Sequence, residues 1–229
     1  MSDLLELSLQ ETFSSVAHQW RQPLSKINSL VGSIDNRLYE LGVEDDFLSQ
    51  QLLEIERLTQ SMSKVIDDFR FNTDVCKSDT DRRVIDIIKE ALSSLAYSLE
   101  EKSIELNIDA DASLVVEHDE KLLKQVIITL IDNARDALIE RNIYNPFIKV
   151  SAFENSEALF IKVCDNAGGI SKSIMSRVFE PGFSTKHSSE GTGLGLYMSK
   201  RLLKEKLDAQ LEVKNVESGV CFIITLNKG

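Results

Sequence analysis

Basic residues are in deficit. The chain has 26 lysines and arginines against 37 aspartates and glutamates, a net charge of −11 over 229 residues. A surface of that sign excludes the basic face that nucleic-acid binding needs. Long apolar runs are missing as well: stretches such as VIITLI (126–131) fall far short of the roughly 20 residues that cross a bilayer. The opening MSDLLELSLQ lacks a basic n-region, so no secretory signal is read. Cysteine is scarce. Cys76, Cys164 and Cys221 have no metal-type spacing and make no disulfide framework, so reduced thiols in a cytoplasmic chain are expected. Neither an internal repeat nor a low-complexity tract is visible. What remains, 42% hydrophobic and 28% charged residues, is the balance of a soluble globular chain of one or two domains.

Proline is nearly absent from the first third: residues 1–74 are helix formers with Pro23 alone among them and one turn signal, LGVEDD (41–46). Apolar positions run Leu9, Phe13, Val16, Trp20, Leu24, Ile27, Val31, Ile34, Leu38, Leu41, in steps of four and three with one extra four at Trp20–Leu24. That is a coiled-coil seam with a stutter. After the turn it resumes at Leu48, Leu52, Ile55, Thr59, Met62, Ile66 and Phe69. A hairpin of two long helices is predicted. One hairpin cannot bury both stripes, so dimerisation into a four-helix bundle is expected.

From about Arg82 the pattern changes. The sequence predicts a helix at 84–101, strands at 104–109 and 113–117, and a long helix at 119–140. Strands at 147–153 and 158–164 follow, then an irregular loop at 171–192, a helix at 194–206 and a hairpin of 209–215 with 219–226. The fold class is α+β: a helical hairpin (1–75), a linker (76–81), and an α/β sandwich (82–229) with helices on one sheet face.

Three segments of the sandwich suit one nucleotide pocket. ITLIDNARDAL offers the carboxamide of Asn133 from a helix, and its amide oxygen is a hard ligand suited to Mg²⁺. VCDNAGGI ends a strand at Asp165, whose carboxylate can accept from the exocyclic amine of adenine, while Gly168 and Gly169 let the backbone pass close to a base. GTGLGLYMSK is a glycine-rich turn opening a helix, where the N–H groups around Gly191, Thr192, Gly193, Leu194 and Gly195 can hold phosphate oxygens.

These segments resemble the ATP-binding domain of sensor histidine kinases, within the wider gyrase, MutL and heat-shock-chaperone ATPase superfamily. NARDA resembles the N box, DNAGGI the first glycine box, VFEPGFSTK the F box and GTGLGL the second glycine box, a match covering residues 82–229. The resemblance implies ATP as substrate, Asn133 as Mg²⁺ ligand, Asp165 for adenine recognition, and Gly193 and Gly195 beside the phosphates. It makes 171–192 an ATP lid anchored by Phe179 and Phe183, with Lys186 as a phosphate contact. The sequence departs at Ala167, which replaces a glycine and disfavours positive φ. It departs again at Thr129. The hydrolysing relatives carry a glutamate there, one turn before the Asn, and threonine cannot serve as a general base. Transfer to another acceptor fits better than hydrolysis.

The acceptor candidate is His18, in SSVAHQWRQPLSKI, roughly 200° around the helix from the seam residue Val16. Pro23 removes a backbone N–H just beyond it, at a cost of about 3 kcal/mol in mid-helix. His18, Arg21 and Pro23 resemble the H box of the same kinases. That implies attack by His18 on the γ-phosphoryl of ATP and onward transfer to an aspartate of a response regulator. An acidic residue usually follows the histidine. Gln19 can orient the ring but cannot take its proton, so slower transfer is expected, with solvent or another carboxylate as base. Gln22, one turn beyond His18, stands where the family positions water for dephosphorylating the regulator. Two alternatives stay open: an ATP-binding dimeric scaffold, or a regulator-directed phosphatase with weak autokinase activity.

Overall fold

In the computed structural model, residues 2–70, 82–116, 119–185 and 193–228 are described, with backbone alone for 2–19, 21, 57, 60, 61 and 64–70. The chain divides into two compact units: Met1–Asp74 with Pro181–Leu194, and Val75–Glu180 with Gly195–Gly229. The expected linker at 76–81 lies outside the described residues.

The first unit is built on α1 (Ser2–Glu40) and α2 (Asp46–Arg70). The helix runs through Pro23. It stops where Gly42 turns left-handed, with φ of +63°. Gly42 N donates to Tyr39 O at 3.1 Å and Val43 N to Leu38 O at 3.0 Å, which satisfies the last carbonyls. Asp45 then opens α2: its Oδ1 accepts from Phe47 N at 2.9 Å and Leu48 N at 3.0 Å. Packing of α1 on α2 splits the predicted seam in two. Leu24 and Val31 are buried and Leu38 half-buried, whereas Ile27, Ile34 and Leu41, the seam positions between and after them, are 39%, 51% and 58% exposed. The second helix repeats this: Leu52 and Thr59 face inward, and Leu48, Ile55 and Met62 outward. Thr59 shares a hydrogen bond with Asn28, a polar layer within the apolar seam.

The second unit contains β1 (Arg82–Arg83), α3 (Val84–Ser93), α4 (Ala96–Glu101), β2 (Glu105–Ala110), β3 (Val115–Val116), α5 (Glu120–Glu140), β4 (Phe147–Glu154), β5 (Ala158–Asp165), α6 (Lys172–Met175), α7 (Gly195–Leu207), β6 (Gln210–Asn215) and β7 (Val220–Asn227). Five strands form a sheet in the order β2-β4-β5-β7-β6. The β2–β4 pair is parallel and the other pairs are antiparallel. One face of the sheet carries Ile148, Val150, Leu159, Ile161, Val163, Phe222, Ile224 and Leu226, all buried beneath the helices. The opposite face carries Lys149, Phe153, Phe160 and Lys162. There Phe153 stacks on Phe160 at 5.1 Å and Lys162 Nζ lies 4.6 Å from the Phe153 ring. This is the expected arrangement, with helices on one sheet face.

Four details differ from the sequence reading. The helix at 84–101 is two helices, because Ser93 and Ser94 turn their hydroxyls back to Glu90 O, at 2.8 and 3.1 Å, and compete with its continuation. The strand at 113–117 shrinks to β3 and pairs with β1 in a separate two-stranded sheet. The irregular loop at 171–192 contains the short helix α6. Finally, Cys164 and Cys221 are not free thiols but a disulfide, their Cα atoms 4.0 Å apart. They are 57 residues apart in sequence, so no spacing announced them, yet the β5–β7 register sets them directly opposite.

Candidate functional site

Helix α5 begins at Asp119, whose Oδ1 accepts from Lys121 N at 3.0 Å and Leu122 N at 3.1 Å. Leu123, Val126, Ile127, Leu130, Ile131, Ala134 and Leu138 recur at helical spacing and bury one face. Asn133 is half-buried at the edge of that face. Its Nδ2 donates to Thr129 O at 2.8 Å, which leaves the amide oxygen without a hydrogen bond among the described residues. Next to it Arg135 bridges Asp132 at 2.6 Å and Asp136 at 2.8 Å and reaches Ser98 Oγ at 3.3 Å, fastening α4 to α5. Burial opposes the guanidinium charge, but the two carboxylates outweigh it and hold Arg135 more firmly protonated than usual.

Asp165 ends β5 on the helix-covered side of the sheet and is 4% exposed. Burial raises its carboxyl above the ordinary aspartate value of 3.8, against the opposing pull of two backbone N–H groups and Arg141. Those N–H groups, Ala167 N at 2.8 Å and Val220 N at 3.3 Å, both donate to Oδ1. Oδ2 has no hydrogen bond among the described residues, which leaves it the acceptor for an incoming donor. The turn needs left-handed backbone at Gly168 (φ +87°) and Gly169 (φ +66°), but not at Ala167, so the alanine departure costs the loop nothing.

Several residues that frame this carboxylate had no signal in the sequence. Gly219, in the β6–β7 turn, passes so close that an added Cβ would lie 1.9 Å from Asp165 O. Ser218 O accepts from Gly168 N at 2.9 Å. Asn166 ties the loop to the start of β4: its Oδ1 accepts from Phe147 N at 2.8 Å and its Nδ2 donates to Asn145 O at 3.0 Å. Arg141 and Asn215 also bond to the loop. A turn glycine that must lack a side chain and a surface amide give no signal in sequence until the register brings them to one place.

The third segment reaches the same helix. A Cβ on Gly195 would meet Thr129 Cγ2 at 3.2 Å, so the N-terminus of α7 lies against α5 one turn before Asn133. Just upstream, the segment Pro181–Leu194 is pinched at its base. Gly182 N donates to Gly193 O at 3.1 Å, and a Cβ on Gly193 would lie 2.5 Å from Gly182 C and 2.6 Å from Phe183 O. Phe179 packs edge-on to Phe222 at 6.5 Å, and Lys200 Nζ sits 4.4 Å from its ring. Lys186, Gly191 and Thr192 lie outside the described residues. His18, Gln19 and Arg21 fall on helical backbone of α1 with side chains outside the description, and Gln22 is exposed on the same helix. No helix among the described residues is long and apolar enough to cross a membrane.

Residues 118–229 match the family described as histidine kinase-, DNA gyrase B-, and HSP90-like ATPase. The two-component sensor PprA of Pseudomonas aeruginosa is 29% identical over 226 residues, covering 96% of this chain and 24% of that protein. Among solved structures, the catalytic domain of histidine kinase ThkA is 27% identical, covers 65% of this chain and 95% of its own, and has a TM-score of 0.58. Histidine kinase ThkA in complex with response regulator protein TrrA shares the fold over 96% of this chain and 61% of that one, at 21% identity and a TM-score of 0.62. The chain spans 24% to 35% of the length of the first curated relatives it matches.

Proposed function

We propose that this chain is the catalytic core of a two-component sensor histidine kinase, with residues 1–75 as dimerisation and phosphotransfer hairpin, 76–81 as linker and 82–229 as ATP-binding domain. The observation that carries it is Asp165: a buried carboxylate with one oxygen fixed by backbone donors and the other left for an adenine amine. Gly168, Gly169 and Ala167 let the base lie against the backbone. The resemblance assigns the N–H groups of Gly191, Thr192, Gly193, Leu194 and Gly195 and the charge of Lys186 to the phosphates. The amide oxygen of Asn133, which its Nδ2 bond to Thr129 leaves available, suits Mg²⁺, which would neutralise phosphate charge during transfer.

In the reaction a ring nitrogen of His18 attacks the γ-phosphorus. An N–P bond forms as the bond to the β–γ bridging oxygen breaks, ADP leaves, and the ring proton passes to solvent or another carboxylate because Gln19 accepts none. Arg21 supplies positive charge one turn from His18. A receiver-domain aspartate would then take the phosphoryl group from His18, and Gln22, exposed on α1, would orient water for hydrolysis of that phosphoaspartate to inorganic phosphate. The outward half of the seam supports a homodimer: Ile27, Ile34, Ile55 and Met62 stay uncovered in one chain, as they would in a four-helix bundle before its partner docks.

Incubation with γ-labelled ATP and Mg²⁺ tests this reading. Acid-labile, base-stable label is expected on the protein and lost in His18→Ala. Intact ATP binding without label would leave a nucleotide-binding scaffold. Rapid loss of phosphate from a supplied phosphoregulator, without self-labelling, would leave a phosphatase.

A further inference from the structure

The loop that reads the base is held from two sides by residues that no motif marks. A single atom, Arg141 Nη1, donates to Ala167 O at 2.6 Å and to Gly169 O at 2.8 Å, bracketing the left-handed Gly168. From the other side the Asn215 carboxamide imitates a strand partner: its Oδ1 accepts from Ile170 N and its Nδ2 donates to Ile170 O, both at 2.8 Å. Arg141 ends α5, the helix that carries Asn133, and Asn215 ends β6. Two consecutive glycines with positive φ are otherwise the least constrained backbone a chain can have, and ordering them on binding would cost affinity. We propose that Arg141 and Asn215 are positioning residues that pre-organise residues 166–170, so that Asp165 discriminates adenine from other purines. Both side chains are exposed, so their truncation leaves no hole in the core.

The proposal rests on the reading of Asp165 as adenine acceptor. Equilibrium binding of ATP and of inosine triphosphate, whose base has a carbonyl in place of the exocyclic amine, separates the two. Wild type is expected to prefer ATP. Arg141→Ala and Asn215→Ala are each expected to weaken ATP binding about tenfold, leave inosine triphosphate nearly unchanged, and so narrow the preference by the same factor. Arg141→Lys, which keeps a donor and the charge, should recover part of it. Equal weakening of both nucleotides in the alanine variants, or an unchanged preference in variants with native circular dichroism, overturns the clamp. A wild type that binds the two nucleotides alike overturns the Asp165 reading, and the clamp with it.

Discussion

At the scale of single residues, the carboxylate of Asp165 sets what can be measured. Replacing one oxygen by an amine in Asp165→Asn puts a donor against a donor, and ATP affinity should fall roughly 10- to 100-fold, since hydrogen bonds to charged groups contribute about 1.5–3 kcal/mol. Isothermal titration would show it. The pH dependence has a definite sign. Burial raises the folded-state value above 3.8, so the cost of the buried charge is present in full above the raised value and is relieved as pH falls through it. Stability without nucleotide therefore gains from this group on acidification. Nucleotide binding loses, because protonation caps the free acceptor. The rise in Tm caused by ATP should shrink as pH drops through that window in wild type and stay flat in Asp165→Asn. Gly219→Ala is the sharpest steric test: with a Cβ 1.9 Å from Asp165 O the β6–β7 turn must shift, and a loss of about 1–3 kcal/mol in denaturant unfolding is expected. Asp165, Gly168 and Gly169 were legible because carboxylate-plus-glycine chemistry is local in sequence. Gly219, Val220 and Asn215 were not, because they reach the site through a strand register.

At the scale of elements, a seven-residue alternation tells two surfaces apart. Leu24 and Val31 close the hairpin, and Ile27 and Ile34 look away from it. Ile34→Glu should yield monomers by sedimentation while leaving helix content intact, whereas Leu24→Ala should cost about 2–5 kcal/mol of hairpin stability. Equal unfolding by both would mean that the two halves of the seam are not distinct surfaces. The periodicity that predicted one continuous seam could not say which half faces which helix, since that depends on how the hairpin rolls about its turn. Most elements were read within a residue or two. The break in the helix at 84–101 was hidden because serine is acceptable in a helix until its hydroxyl finds a carbonyl of the previous turn. Cys164 and Cys221 were hidden by the same kind of distance, since nothing but the β5–β7 pairing joins them.

At the scale of the molecule, the proposed reading puts ATP binding and phosphoryl acceptance in different parts of the chain. Residues 82–229 made alone, which lack His18, should bind ATP and take no label. Native electrophoresis with labelled ATP would check both. The relatives extend well beyond this length. One feature of the sheet has a temporal meaning. β7 lies between β5 and β6, and its first residues bring Val220 N and Gly219 to Asp165, although it follows every other strand in the chain. A nascent polypeptide leaving the ribosome thus has Asn133 and Asp165 in hand long before Asp165 is framed by Gly219 and Val220. On the proposed reading the site is completed by the strand synthesised last, and a chain cut short ahead of Val220 should bind no ATP.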